Sequence, residues 1–256
     1  MNVITICNQK GGTAKTTTAA ALAVQFARKG VPTHVIDMDP QASLTAAFGQ
    51  ADPEGVLYRS LADRAPLSVI PIAEYLTLTP SSIDLSRGET EFIAEAGREY
   101  MLRTCIEKSR LPKNAVIIID SPPSLGVLAV NCLTAARGLL IVVQPGGFEL
   151  RALAYLEETI RILKDRVNPK LAILGAILTN CHPRRAITDQ VQAELGNHYR
   201  VFGQVRADAQ ILYGTTEGSL LTLARSNALD DYGNVVDQLI TEITWLRRPL
   251  AVSGGS

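Results

Sequence analysis

Short apolar runs alternate with longer segments of helical character along most of the chain. The first run, VITIC (3–7), leads into KTTTAAALAVQFARKG (15–30), whose alanines and leucine suit close packing and whose Gly30 is a plausible stop. THVIDMD (33–39) predicts a second strand, and LTLTP (76–80) another after a more irregular stretch. AVIIID (115–120) is almost entirely β-branched with no polar alternation, the pattern of a strand buried on both faces. GLLIVVQP (138–145) and LAILGAILTN (171–180) repeat it. Helices are expected from about Glu89 to Lys108, over 149–166, over 187–196 and over 231–246. The last of these places Val235, Val236, Leu239, Ile240 and Ile243 on one face.

Strands alternating with helices predict a single α/β domain: a mostly parallel, twisted sheet with helices on both faces. No linker-like stretch or internal repeat divides the chain, so residues 1–248 are expected to form one domain, with 249–256 as a flexible tail. In such sheets ligands sit beyond the carboxyl ends of the strands. Polar residues converge there: Asn8 to Thr17 follow the first strand, Asp37 and Asp39 end the second, and Asp120 ends AVIIID.

Composition narrows the classes. The 256 residues carry 25 Lys+Arg and 25 Asp+Glu, so the formal net charge of zero gives no global attraction for nucleic acid or anionic membrane. Any such binding must come from a local patch. Cys7, Cys105, Cys132 and Cys181 are isolated in sequence, which argues against a zinc ribbon or an iron–sulfur cluster and for small core residues in a reducing compartment. No signal-type segment and no apolar run long enough to span a bilayer is visible, making the cytoplasm the expected location.

The segment NQKGGTAKTT (8–17) carries the chemistry. Gly11 and Gly12 allow a tight turn that points backbone N–H groups at a phosphate, and the following helix adds its N-terminal dipole. Lys15 supplies a charge for the β- and γ-phosphates, and Thr16 a hydroxyl of the kind that binds Mg²⁺. Asp120 is placed as the Walker-B carboxylate on the same ion. The plain alternative is an ordinary glycine turn beside a strand-end cap. The loop also departs from G-x-x-x-x-G-K-[ST]: Gln9 and Ala14 stand where that pattern has glycine, and Lys10 is a surplus lysine.

Lys10 and Lys15 in K-G-G-x-x-K-T-T resemble the deviant Walker A motif of the ParA/MinD ATPases, within it the small Soj-like partition ATPases. VIDMDPQASLT (35–45), VIIIDSPPSLGVLAVNCLTAA (116–136) and LLIVVQPGGFELRALAYLEETI (139–160) are similar to its later motifs, and VRADAQILYGTTEGSLL (205–221) joins them weakly. The resemblance implies a P-loop NTPase fold, ATP and Mg²⁺ as cofactors, and slow ATP hydrolysis stimulated by a partner. Lys10, Gly11, Gly12, Thr13, Ala14, Lys15, Thr16 and Thr17 would hold the nucleotide, with Lys10 reaching across a two-fold axis to the partner subunit's ATP. Lys10, Lys15 and Asp39 would be catalytic, Asp39 by positioning the attacking water, and Thr16, Asp37 and Asp120 would form the metal shell. Asp37 and Asp39 could instead be turn residues before Pro40. The family has glycine at position 14, and alanine there costs if the backbone needs positive φ.

Position within the fold suggests adenine contacts from Asn180, Arg206 and Ala207. Members of the family that partition DNA form ATP-dependent homodimers, bind DNA non-specifically, lie on the nucleoid, and are released when a ParB-like centromere-binding protein stimulates hydrolysis. Arg184, Arg185, Arg206 and Arg225 are the expected DNA contacts. The alternative is a MinD-like or cargo-positioning ATPase. Pro249 ends the last helix too soon for a strong membrane anchor, so no stable membrane association is expected and Trp245 and Ile243 should pack on the domain. The chain begins almost at its first strand, leaving no room for an operator-binding helix-turn-helix. His182 is expected to be an ordinary loop residue.

Overall fold

A computed structural model describes residues 1–8, 10–52, 54–146, 150–182, 186–223 and 226–246. The first half contains β1 (Asn2–Cys7), α1 (Lys15–Arg28), β2 (Thr33–Asp37), α2 (Ser43–Ala47), α3 (Val56–Ala62), β3 (Ile70–Ala73) and β4 (Leu76–Thr79). After them come α4 (Gly88–Glu91), α5 (Met101–Lys108), β5 (Val116–Asp120) and α6 (Val127–Ala135). The second half runs β6 (Gly138–Val143), α7 (Leu150–Arg166), β7 (Ala172–Cys181), α8 (Ala186–Gly196), β8 (Val201–Arg206), α9 (Ala209–Thr216) and α10 (Asn227–Glu242). One eight-stranded sheet results, in the order β3-β4-β2-β5-β1-β6-β7-β8. Every pairing is parallel except β3 with β4 at one edge.

The continuous apolar runs serve two faces at once. On β5, Val116 and Ile118 pack toward α1 and α10, whereas Ile117 and Ile119 join the core built by α3, α5 and α6. A third core lies between β6, β7, α7 and α8. Ala19, Ala20, Ala21 and Ala23 of α1 are fully buried along with Leu22 and Phe26, so the helix is packed into the core against the sheet. That brings its N-terminus to the carboxyl ends of β1 and β5. Gln25 and Thr18 fasten it to α10, through the Leu229 carbonyl at 2.7 Å and the Tyr232 hydroxyl at 2.8 Å.

The alternating pattern foresaw this architecture, with three corrections. The helix expected over Glu89–Lys108 is broken: α4 gives way to single turns of 3-10 helix at Phe92–Ala94 and Arg98–Tyr100 before α5. Glu95 is extended and Gly97 has φ 65°, conformations that no continuous helix accommodates. The final helix starts at Asn227, because Ser226 caps it by accepting the Leu229 N–H at 3.2 Å, and ends at Glu242, where Ile243 turns extended. The strands β3 and β8 and the helices α2, α3, α6 and α9 were not foreseen. β8 (VFGQVR) is a short edge strand with a glycine and outward polar residues, too weak a signal to stand out. Trp245 and Ile243 pack against the α1–α10 core, and the four cysteines are buried and free. Among the described residues no helix is long and apolar enough to cross a membrane. The 249–256 segment lies outside the described residues.

His34 on β2 shows how tightly this side of the sheet is closed. Its ring nitrogens contact the hydroxyls of Thr77 (2.8 Å) and Thr79 (3.0 Å) on β4, and burial pushes its pKa down to about 3. The unfolded chain takes up a proton below about pH 6.5 and the folded chain does not, so this residue costs stability as pH falls. Relative to His34→Gln, the parent should lose about 2 kcal/mol of unfolding free energy between pH 7.5 and pH 5. Urea titrations of both proteins at the two pH values measure this; parallel pH dependence would show the ring to be accessible to protons.

Candidate nucleotide site

The loop between β1 and α1 is held from three sides. Asn8 accepts the Lys10 N–H at 2.9 Å and donates its amide to the Val142 carbonyl on β6. The Thr13 hydroxyl donates to the Lys10 carbonyl at 3.2 Å, and the Thr179 hydroxyl of β7 donates to the Thr13 carbonyl at 3.0 Å. Gly12 adopts φ 75°. A Cβ added at Gly11 or Gly12 would meet nothing within 4 Å, so the turn faces open space that a ligand can fill.

Ala14 has φ 65° and ψ 31° as the residue preceding α1. The position where the family pattern has glycine therefore requires the left-handed conformation, and the methyl group is carried at a steric cost. Ala42 (φ 54°), before α2, and Asn180 (φ 52°), in the last turn of β7, share this conformation at the same end of the sheet. Sparsely populated backbone of this kind gathers around functional sites.

Pairing of β2 with β5 sets Asp37 directly beside Asp120. Both carboxylates are buried, but their surroundings differ. Asp37 accepts the Thr45 N–H (2.8 Å), the Thr45 hydroxyl (2.7 Å) and the Asp39 N–H (3.2 Å). Burial nonetheless pushes its pKa up to about 6. Neither oxygen of Asp120 accepts a hydrogen bond; the Thr16 hydroxyl is close enough to favour its ionised form without full bonding geometry. Burial first, and the neighbouring Asp37 second, drive the Asp120 pKa well above the carboxylate range. Lys15, also buried, has its pKa lowered by desolvation, which Asp120 and Asp39 oppose. The balance is two buried acids and one buried ammonium, with an unsatisfied carboxylate at the centre. This donor set fits Mg²⁺, a hard cation that takes one or two carboxylates and completes its shell with phosphate and water. Among the described residues no cluster of three or more His, Cys, Asp or Glu that could hold a metal ion is present.

Next to the loop opens a cavity of about 580 Å³, lined by Gly12, Ala14, Thr17, Gln144, Asn180, Arg206 and Ala207 among others. The suggested adenine contacts thus meet the glycine turn in one space. His182, in the loop after β7 as expected, lines it too. Arg206 uses its Nε and Nη2 groups, at 2.9 and 2.8 Å, on Asp231 of α10, and its own N–H on the same carboxylate at 3.0 Å. Arg184, Arg185 and Arg225 lie outside the described residues.

Several contributors escaped the sequence reading. Thr45 bridges Asp37 and the Ser81 N–H (2.9 Å), and Ser81 in turn donates to the Asp39 carbonyl at 2.9 Å. Thr179 pins the loop from another strand. Asp208 accepts from the Gln210 N–H, the Ser226 hydroxyl and the Ala228 N–H, tying the starts of α9 and α10 together behind the cavity. Thr45 belongs to VIDMDPQASLT (35–45) and could have been singled out; the others depend on contacts between distant segments.

A glycine turn between strand and helix, a lysine opening that helix and an unsatisfied strand-end acid define a P-loop NTPase. Residues 1–173 match the family model described as an AAA domain. The chromosome partitioning protein ParA of Myxococcus xanthus is 36% identical over 203 residues, covering 77% of this chain and 71% of that protein. The sporulation initiation inhibitor protein Soj of Bacillus subtilis is likewise 36% identical over 203 residues, 77% of this chain and 80% of Soj. Among solved structures, cobyrinic acid a,c-diamide synthase from Mycobacterium smegmatis, with bound ATP analogue and magnesium, matches with a TM-score of 0.80 at 29% identity, covering 94% of both chains. The chain belongs to the ParA/Soj family of P-loop ATPases.

The strained Ala14 yields a direct test. Ala14→Gly removes a left-handed alanine that costs roughly 1 kcal/mol. The variant should unfold at higher denaturant, by up to about that amount after the greater entropy of unfolded glycine is subtracted. A lower unfolding midpoint would mean that position 14 is not left-handed in solution.

Proposed function

We propose that this chain is a partition ATPase that binds Mg-ATP, pairs into a sandwich dimer around it, attaches non-specifically to DNA, and leaves when a ParB-like partner stimulates hydrolysis. The observation that carries the nucleotide part is Asp120: a buried carboxylate whose oxygens accept no hydrogen bond of full geometry, directly beside Asp37. Kinship with ParA and Soj supports the partition part.

In this proposal the N–H groups of Gly11 to Thr17 and the start of α1 cradle the phosphates, and Lys15 balances the β- and γ-phosphate charge. Thr16 and Asp120, with Asp37 behind them, hold Mg²⁺, which when bound offsets charge on the phosphate oxygens. Asp39 orients the attacking water; its Oδ1 already accepts the Gln41 N–H at 3.0 Å, which fixes the carboxylate. Lys10 reaches the nucleotide of the second subunit, so dimerisation depends on the γ-phosphate. The cavity by Asn180 and Ala207 takes the base, with Arg206 held as its wall by Asp231.

Three variants separate these roles. Lys15→Ala should abolish ATP binding in calorimetry, and unchanged affinity would remove Lys15 from the site. Asp39→Ala should hydrolyse poorly and sediment as a dimer with ATP, whereas Lys10→Ala should stay mostly monomeric; one-subunit mass for Asp39→Ala with ATP would argue against the sandwich. For the DNA step, random-sequence duplex should be bound more tightly with ATP than with ADP or no nucleotide. Equal affinity in all three states would remove the switch from the proposal.

A further inference from the structure

Three connections meet at the carboxyl ends of the central strands. The sheet order places β5 between β2 and β1, so the 121–126 loop after Asp120 rises between the Asp39 segment and the glycine turn. A phosphate held by the turn and a water held by Asp39 would meet beside that loop. The loop is anchored at both ends. At its start the buried Ser121 hydroxyl donates to the Ile6 carbonyl of β1 at 2.8 Å. At its far end the N–H of Val127, the first residue of α6, donates to Glu89 Oε2 at 2.9 Å. Between the anchors Pro122 and Pro123 fix two backbone angles, and Pro123 and Ser124 are exposed.

Glu89 reaches the loop from a strap, residues 81–102, that runs from the end of β4 across these connections. Near its start, Ser81 bonds the Thr45 hydroxyl and the Asp39 carbonyl, each at 2.9 Å. Gly88 lets α4 press on α6: a Cβ there would lie 2.6 Å from the Phe92 ring and 3.3 Å from Leu128. Farther on, the buried Asn131 of α6 accepts the Leu102 N–H at 3.0 Å and donates to the Arg98 carbonyl at 2.8 Å. One continuous segment thus touches both the Asp39 side and the Asp120 side. A helix that needed only a cap would take Ser, Thr, Asp or Asn at position 126. This chain has Gly126, with an ordinary φ of −76° that any residue adopts, yet a Cβ there would run into the Glu89 carboxylate. The glycine makes room for an acid from another segment. Glu89 Oε1 is buried without a hydrogen-bond partner, which works against folding, so cap strength alone does not account for a carboxylate here.

We infer that Glu89 is a positioning residue for ATP hydrolysis, a role that rests on the functions of Asp39 and Asp120 proposed above. It holds the 121–126 loop where the γ-phosphate meets the attacking water, and the strap ties that loop to the Asp39 segment. Glu89 touches the backbone of the loop and no reacting atom. It therefore acts on the rate of hydrolysis and leaves ATP binding to the glycine turn, Lys15 and Mg²⁺. Misplacing a group by about 1 Å can lower a rate by about 10²-fold, so a loop released at one end is enough to slow the step.

The test measures phosphate release at saturating Mg-ATP, and ATP affinity by calorimetry. It compares the parent with Glu89→Ala, Glu89→Gln, Gly126→Ala and the double variant Glu89→Ala/Gly126→Ala. Glu89→Ala should lower kcat about tenfold or more with ATP affinity unchanged. Glu89→Gln keeps an acceptor for the Val127 N–H and should recover most of the rate. Gly126→Ala displaces the carboxylate and should slow hydrolysis as Glu89→Ala does. The double variant should be no slower than Glu89→Ala alone, because the added methyl group no longer meets a carboxylate. Parent kcat in Glu89→Ala, equal losses in Glu89→Ala and Glu89→Gln, or additive losses in the double variant would overturn the inference and leave the ATPase proposal standing. Loss of ATP affinity in step with kcat would make Glu89 a structural support alone and overturn it too. A parent that hydrolyses no ATP would remove both.

Discussion

Two carboxylates placed side by side in a sheet interior set the terms for everything around them. Asp37 and Asp120 are forced together by the register of β2 on β5, directly after the apolar pairs Val35–Ile118 and Ile36–Ile119. Placing two acids there works against folding unless each is satisfied. Thr45 satisfies Asp37 twice, and the Asp39 N–H adds a third bond. Nothing does the same for Asp120 beyond the nearby Lys15 and Thr16, and Lys15 is itself discouraged from carrying its charge by burial. A site built this way is complementary to a cation carried in by an anionic ligand. The pinned loop, the alanine-rich α1 and the double helix cap at Asp208 hold the ligand's other contacts around it.

Much of this was legible along the chain, for a physical reason. A strand buried on both faces must be continuously apolar, so a lone acid at its end, such as Asp120, stands out, and the rule for parallel sheets says where it points. Gly12 and Lys15 show for a similar reason: few residues satisfy a left-handed turn or a buried phosphate. The missing glycine at position 14 was visible as a departure, and the structure supplies its meaning in the positive φ of Ala14.

What escaped depends on distance along the chain. Thr179 lies 166 residues from the carbonyl it holds, and no local pattern distinguishes it from any other threonine in a strand. β8 is a short edge strand covered by α10, so its pattern is weak where that of β5 is strong. The Glu89–Lys108 segment has helical spacing, but Gly97 and the extended Glu95 divide it.

The central claim is that Asp120 is kept unsatisfied for a metal ion that arrives with the nucleotide. ATP affinity measured with Mg²⁺ and with EDTA, in the parent and in Asp120→Asn, tests it most directly. The amide has the same size, so the fold and the metal-free affinity should change little. The parent should bind ATP much more tightly when Mg²⁺ is present, and Asp120→Asn should lose most of that gain. An undiminished Mg²⁺ gain in the variant would contradict the account, because the ion would then be held without the carboxylate that the fold leaves open.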